Sequence, residues 1–112
     1  MVITYINRKT EKTFNKISDL IRRFGSEQAK VIILRKTQLE ATENLAVMQT
    51  LPRVRAHELK GDRAGQISLD LIHPQRLLVV PNHEETPRKE DGGLDWTKIT
   101  RIMIIGVEDT HG

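Results

Sequence analysis

Hydrophobic residues recur along this chain with changing spacings, and each spacing predicts one kind of element. Residues 2–6 alternate branched apolar side chains with Thr4, which predicts an opening strand. Thr10-Glu11 supplies a capping hydroxyl and a first-turn carboxylate, so a helix is predicted to start there. The apolar stripe of that helix has steps of three, four and three residues and comprises Phe14, Ile17, Ile21 and Phe24.

A second helix is predicted from Gly25-Ser26, which end the first helix and cap the next, to about residue 49. Its expected inward positions are Ala29, Ile32, Ile33, Leu39 and Ala46. Its expected outward positions are Arg35, Lys36, Glu40 and Glu43. With so short a connection, we expect the two helices to form an antiparallel hairpin.

After Pro52 the apolar period changes to two, which predicts strands. One strand is predicted over 66–71 with a single buried face, followed by a turn at His73-Pro74 and a strand over 77–80. Residues 82–97 are polar and turn-rich, whereas 99–107 are almost entirely apolar and predict a central strand covered on both faces. The order of elements predicts an α+β domain with an N-terminal strand and a helical hairpin on a mostly antiparallel sheet.

Length and composition narrow the class of protein. A chain of 112 residues has room for one domain, here 1–112, with one modest core. It has no cysteine, which excludes disulfides and thiolate metal sites. Because the N-terminus lacks the pattern of a signal peptide and no apolar run is long enough for a membrane span, a cytoplasmic protein with no membrane association is expected.

Candidate chemistry concentrates between residues 53 and 63. This segment combines a histidine with an excess of cations around a turn glycine, comprising Arg53, Arg55, His57, Lys60, Gly61 and Arg63. A basic loop ahead of a strand is suited to holding a phosphodiester. The sparse aromatic residues, in contrast, argue against a base-stacking platform.

RNA can be cleaved by its own 2′-hydroxyl attacking the adjacent phosphorus. The protein then supplies a base, an acid and cations that stabilise the charge developing on phosphorus. His57 can serve either proton role, and Lys60, Arg63 and Arg76 can supply positive charge. Arg76 can also contact two phosphate oxygens. This mechanism needs no metal and no cofactor, and none is predicted.

The same residues carry a family resemblance. The motif reads His57-Glu-Leu-Lys-Gly-Asp-Arg63, followed by Gly65-Gln66, His73-Pro74-Gln75-Arg76-Leu77 and a tail of Glu108-Asp109-Thr110-His111. This succession resembles the HigB-type "proteic killer" toxins of the RelE/ParE superfamily over nearly the whole chain. HigB-like toxins commonly end in Asp-Tyr-His, whereas here Thr110 stands in the place of the tyrosine.

The resemblance implies a RelE-like fold and a toxin of a type II toxin–antitoxin system. Its implied activity is that of an mRNA interferase, an endoribonuclease that cleaves mRNA on the translating ribosome. The implied catalytic residues are His57, Lys60, Arg76, Asp109 and His111, and the implied phosphate-binding residues are Arg53, Arg55, Lys60 and Arg63. The implied partners are the ribosome, mRNA and a HigA-like helix-turn-helix antitoxin, through which operator DNA is bound.

Two alternatives stay open from the sequence. ParE-like relatives stop cells by poisoning DNA gyrase and need no nuclease site, so a non-enzymatic toxin is one of them. The other is a catalytically weakened toxin that mainly binds its antitoxin, because threonine has no phenol that can act as an acid. The cluster of histidine and cations favours the nuclease.

Overall fold

The computed structural model describes residues 1–110, which form an α+β fold around one five-stranded mixed sheet. The strands are β1 (Val2–Tyr5), β2 (His57–Glu58), β3 (Ile67–Asp70), β4 (Gln75–Pro81) and β5 (Arg101–Asp109). Their order across the sheet is β1-β5-β4-β3-β2. β1 runs parallel to β5, and the other neighbouring strands are antiparallel. The predicted class and the central position of the last strand are therefore confirmed.

Four α-helices pack with this sheet, and they are shorter than the sequence predicts. They are α1 (Arg8–Phe14), α2 (Ile17–Phe24), α3 (Ser26–Ala41) and α4 (Leu45–Met48). Two single turns of 3-10 helix occur at Gly61–Arg63 and Trp96–Lys98. Among residues 1–110, no helix has both the length and the apolar character needed to cross a membrane.

The predicted first helix is in fact two helices. Asn7, not Thr10, caps α1, because its side chain accepts a hydrogen bond from the Thr10 amide at 2.8 Å. Lys16 has extended backbone and separates α1 from α2. The apolar residues of the two helices therefore do not form one continuous stripe. As a result Leu20 is buried, whereas Ile17 and Ile21 are 61% and 43% exposed, contrary to prediction.

The predicted second helix also ends early. α3 stops at Ala41, and Thr42 has extended backbone. Asn44 starts α4 by accepting a hydrogen bond from the Val47 amide at 3.3 Å. Gly25, with φ +85°, supplies the sharp connection between α2 and α3, and no side chain caps α3.

Arg35 was predicted to point outward, and that prediction is wrong. Arg35 is only 5% exposed. Its guanidinium donates to the main-chain oxygens of Asp70 at 2.7 Å and Arg53 at 3.2 Å, and to the Gln38 side chain at 3.2 Å. Backbone carbonyls at the end of a strand need donors when buried, and Arg35 supplies them from α3. Burial lowers the pKa of Arg35 from its usual value, and the nearby Asp70 carboxylate opposes that shift.

The two faces of the sheet are built from alternate residues. The face toward the helices, here called the helix face, carries the main core side chains of the central strands: Ile67, Leu69, Leu77, Val79, Ile102 and Ile104. The opposite face, here called the open face, carries the residues between them. Leu78 illustrates the division, since it is fully buried yet does not belong to the helix-side core cluster.

A β-bulge in β5 changes the face of the sheet to which its last residues project. Leu78 is in register with Gly106 and Val79 with Ile104, so Ile105 is the extra residue on β5. Beyond the bulge the alternation resumes in the other phase. Val107 therefore packs against the core, and Glu108 belongs to the open face.

Candidate functional site on the open sheet face

A row of alternating charges crosses the open face from one sheet edge toward the centre. Asp70 of β3 is in register with Arg76 of β4, which is in register with Glu108 of β5. Arg55 extends the row at the outer edge, with its Nη1 3.5 Å from Asp70 Oδ2. Residues in register across antiparallel strands project to the same face, so these four side chains are neighbours.

Asp70 lies between two guanidinium groups and holds both. Its Oδ1 is 3.3 Å from Arg76 Nη1, while its Oδ2 contacts Arg55. Asp70 Oδ1 is buried and accepts no well-directed hydrogen bond, so its contact with Arg76 is an ion pair of electrostatic character. Arg76 itself is 9% exposed. The pair is thus positioned by the fold and cannot rearrange as freely as two surface side chains.

The loop between β2 and β3 folds back over the open face. Arg63 in this loop contacts Glu108 on β5, with Nη2 to Oε2 at 3.0 Å, although β3 and β4 lie between. Its Nε also donates to Gln66 at 2.9 Å. Gly65 at the end of the same loop donates its amide to Glu58 at 2.9 Å. This loop therefore reaches across part of the open face, where Leu78 is fully buried.

His57 lies in β2 on the open face, two residues after Arg55 in the sequence. Its side chain is exposed, and its Nδ1 donates to the Arg55 carbonyl oxygen at 3.0 Å. A carbonyl only accepts, so Nδ1 is the donor of this bond, and in the neutral ring Nε2 then keeps a lone pair. His57 is in register with Ser68, whose hydroxyl is buried and has no hydrogen-bond partner. The imidazole is therefore oriented by the main chain with its basic nitrogen available.

Two arginines in the left-handed region of backbone conformation shape the approach to β2. Arg53 has φ +67° and Arg55 has φ +47°, which is unusual for residues other than glycine. Arg35 donates to the Arg53 carbonyl and to the Asp70 carbonyl, and so fixes this turn against the end of β3. The side chains of Arg53 and Arg55 are exposed. Backbone strain here sets the direction of Arg55 and the acceptor for His57.

Lys60 completes the predicted basic loop, with an exposed side chain immediately before the Gly61–Arg63 turn. Gly61 has φ +68°, which explains the glycine in the motif. The structure thus brings together five of the predicted site residues on or beside the open face: Arg55, His57, Lys60, Arg63 and Arg76.

Asp109 does not join this group. It is in register with Gln75, whose side chain accepts a hydrogen bond from Gln28 of α3 at 3.3 Å. Asp109 therefore belongs to the helix face, opposite to Glu108 and Arg76. Thr110 is half-buried next to it, and His111 lies outside the described residues. The bulge in β5 decides this placement, because it exchanges the faces of all residues that follow.

Three residues of this region were missed by sequence reasoning as site residues. Asp70 and Glu108 pair with the predicted cations, and period-two counting along β3 would have placed Asp70 on the polar face. His73 was predicted only as part of a turn. It lines a cavity of about 250 Å³ together with Arg55, Asp70 and Arg76. The turn that returns the chain from β3 to β4 brings it there.

His83 has a structural contact that accounts for it. Its Nε2 accepts hydrogen bonds from the amides of Thr100 at 3.1 Å and Arg101 at 3.3 Å, ahead of and at the start of β5. Over residues 1–110 no group of three potential metal ligands converges. The open face carries imidazole, guanidinium and carboxylate side chains.

No family model, curated protein or solved structure matches this chain.

Proposed function

We propose that this chain is a toxin of a type II toxin–antitoxin system that cleaves mRNA on the ribosome. The observation that carries the proposal is the open face itself. It carries the exposed imidazole of His57, two residues after Arg55, and the guanidinium groups of Arg55 and Arg76, both of which pair with Asp70. The motif that resembles HigB-type toxins supplies most of these residues. An N-terminal strand followed by helices on one side of a sheet is also the arrangement expected of a RelE-like toxin.

The scissile phosphate is proposed to bind in the cavity between Arg55 and Arg76. The largely buried ion pair with Asp70 holds the Arg76 guanidinium in place before substrate arrives, and the more exposed Arg55 can move from Asp70 onto the phosphate. A site prepared in this way stabilises the charge of the transition state without reorganising. Arg53, Lys60 and Arg63 then contact neighbouring phosphates and position the RNA strand.

Cleavage is a transphosphorylation. The 2′-oxygen forms a bond to phosphorus, its proton passes to His57 Nε2, and the bond from phosphorus to the 5′-oxygen breaks. The products are a 2′,3′-cyclic phosphate and a 5′-hydroxyl end. His57 is suited to the role of base because its Nδ1 proton is held by the Arg55 carbonyl.

The departing 5′-oxygen takes up a proton, and two histidines are proposed as its source. His111 is the residue that the family resemblance implies. His73 is the residue that lines the phosphate cavity with Arg55 and Arg76. They are distinguished with an mRNA that carries a single 5′-phosphorothiolate at the cleaved bond, because a thiolate leaves without a proton. The variant of the true acid loses cleavage of ordinary RNA and regains it on the thiolate substrate.

The proposal includes the ribosome because a chain this small cannot by itself position an mRNA substrate. The described residues offer shallow cavities instead of a deep groove for RNA, so the translating ribosome would hold the mRNA in place. A HigA-like helix-turn-helix antitoxin is proposed to inactivate the toxin and to carry the complex to operator DNA.

The test is mapping of mRNA 5′ ends after brief induction of the chain in bacteria, compared with His57→Ala and with His57→Ala/His111→Ala. The expected result is new in-frame ends that disappear in both variants. His83→Asn is the matched control, since it changes a histidine with a structural contact outside the open face. Growth arrest without new ends would contradict the nuclease and direct the search to DNA gyrase.

A second candidate function has a specific observation in its favour. Asp109 lies on the helix face, away from His57 and Arg76, and Thr110 replaces a tyrosine. A toxin weakened in this way would retain antitoxin binding without cleavage. Absence of growth arrest by the wild-type chain, together with co-purification of the antitoxin, would support this candidate over the nuclease.

A further inference from the structure

The positive charge of the chain is concentrated far from the open face, in α1 and α2. Residues 8–23 contain six cations and two carboxylates, Glu11 and Asp19, which gives this segment a net charge of +4. The whole chain carries +3, so all the other residues together carry −1. The cations are Arg8, Lys9, Lys12, Lys16, Arg22 and Arg23, and all six side chains are exposed.

Two adjoining cavities mark where these cations converge. The first, of about 200 Å³, lies between α1, α2 and β5 and is lined by Lys9, Thr10, Arg23 and the rings of Phe14 and Phe24, among others. The second, of about 280 Å³, shares Lys9 and Arg23 with the first and adds Lys12 and Arg22. Lys9 and Arg23 therefore stand between two depressions, with further cations beyond them.

The cations are held in different ways. Arg23 stacks above the Phe24 ring, 5.6 Å from its centroid, which fixes the guanidinium at the rim of the first cavity. Arg22 contacts Asp19 at 3.3 Å while remaining 77% exposed in its side chain. An exposed ion pair of this kind contributes little and yields readily to a competing anion.

We propose that this surface, the α1–α2 basic surface, binds the phosphate backbone of structured RNA. Its cations border consecutive depressions, which suits a chain with a phosphate at each nucleotide. Threonine hydroxyls in the first cavity can form hydrogen bonds with a phosphate or a sugar.

The distribution of apolar residues on α2 favours RNA over an amphipathic acidic peptide. Asp19, Arg22 and Arg23 lie on one side of α2, because successive residues are about 100° apart around a helix. The exposed Ile17 and Ile21 project from the other side. An amphipathic partner would need exposed apolar side chains beside the cations, whereas the Phe14 ring beside them is only 5% exposed. A phosphate backbone needs only the cations.

This surface is separate from the proposed cleavage site. Phe14 and Leu20 of α1 and α2 pack into the core on the helix face, whereas His57 and Arg76 are on the open face. A strand of mRNA held on the open face leaves the α1–α2 basic surface available to a second RNA segment. Two RNA contacts on opposite sides would together raise the apparent affinity well above that of either one.

The test measures binding of the full-length chain to a 2′-O-methyl RNA hairpin, which cannot be cleaved through its 2′-oxygen. Loss of nuclease activity would therefore not affect the result. Binding is followed by fluorescence anisotropy over a range of salt concentrations for wild type and Lys9→Gln/Arg23→Gln. The control, Lys89→Gln/Lys98→Gln, removes the same charge from the 82–98 segment.

The slope of log affinity against log salt concentration is expected to fall by about 1.5 in Lys9→Gln/Arg23→Gln, since each phosphate contact contributes roughly 0.7 to 0.9. The control is expected to keep the wild-type slope. Circular dichroism checks that the fold is retained, and Lys9→Gln/Lys12→Gln replaces any variant that unfolds. Equal losses in variant and control, or no RNA binding by wild type, would overturn the proposal. So would equally tight, Lys9- and Arg23-dependent binding of polyglutamate or of phosphatidylglycerol vesicles.

Discussion

The two faces of the sheet show how one set of strands can serve two purposes. On β4, Leu77 and Val79 face the helices and are fully buried in the core. Arg76 lies between Gln75 and Leu77 in sequence, but it faces the other way and pairs with Asp70. The helix face is stabilised by apolar packing, which is not directional. The open face is organised by ion pairs and by the loop between β2 and β3, both of which fix the orientation of side chains.

This difference separates stability from chemistry. Removing apolar atoms from the helix face should reduce the free energy of unfolding and leave the geometry of the open face intact in molecules that still fold. Removing a charge from the open face should change phosphate binding more than it changes folding. Substitutions on adjacent residues of the same strands therefore test the division directly.

Leu77→Ala is expected to have the largest effect, a loss of roughly 2–5 kcal/mol in the free energy of unfolding, because it leaves a cavity in the core. Urea denaturation measures it. Val80→Ala, at a half-buried position on the open face, is the matched control and should lose clearly less. Similar losses at both positions would contradict the division into two faces.

Arg35→Met should cost roughly 3 kcal/mol in the free energy of unfolding, because it leaves buried carbonyls of Asp70 and Arg53 without their donor. Arg35 lies on the helix side, but it holds the main chain next to the open-face residues Asp70 and Arg55. This variant therefore tests both stability and the geometry of the open face. Folded Arg35→Met should cleave more slowly than wild type. Thermal unfolding and cleavage rates measured on the same preparation would show whether stability and activity fall together. An Arg35→Met protein with wild-type stability would contradict the proposed role of Arg35 as the donor to these carbonyls.

Arg76→Ala is expected to lower the rate of RNA cleavage by on the order of 10²-fold or more, as loss of a donor that stabilises transition-state charge typically does. Cleavage of mRNA on programmed ribosomes gives the rate, and circular dichroism gives the fold. Arg88→Ala removes an exposed arginine elsewhere and should leave the rate unchanged. A folded Arg76→Ala protein with full activity would refute the proposed role.

Glu108→Gln should have the smallest effect, a tightening of RNA binding on the open face of up to about five-fold, since partly exposed ion pairs are worth 0.2–1 kcal/mol. The substitution frees the Arg63 guanidinium from its partner on β5. Glu90→Gln makes the same change of charge on an exposed loop. If both variants tighten binding equally, net charge and not the Arg63–Glu108 contact is responsible.

Much of the fold was predictable because local patterns decide local structure. Alternation in residues 2–6 and 67–71 predicted strands β1 and β3, and the apolar run 99–107 predicted a central strand. The helices were predicted with the wrong boundaries. The side chains of Asn7 and Asn44 accept backbone amide hydrogen bonds at helix starts, and such capping is difficult to predict from apolar spacing alone.

The candidate site was predictable in composition and only partly in geometry. The segment 53–63 and Arg76 were singled out from their side chains, and Arg55, His57, Arg63 and Arg76 lie on or beside the open face. Asp109 was grouped with them from its place in the motif, but the register of β4 and β5 puts it on the other face. Asp70 and His73 join the cavity because the chain reverses between β3 and β4.

The sequence by itself determined every strand except the short β2, which side chains carry charge and where a basic segment precedes β3, because these depend on residues close together in the chain. Only the tertiary structure decided which charges face each other. Strand register, the bulge at Ile105 and the buried position of Arg35 depend on how distant segments pack, and a shift of one residue in register exchanges the two faces of a strand.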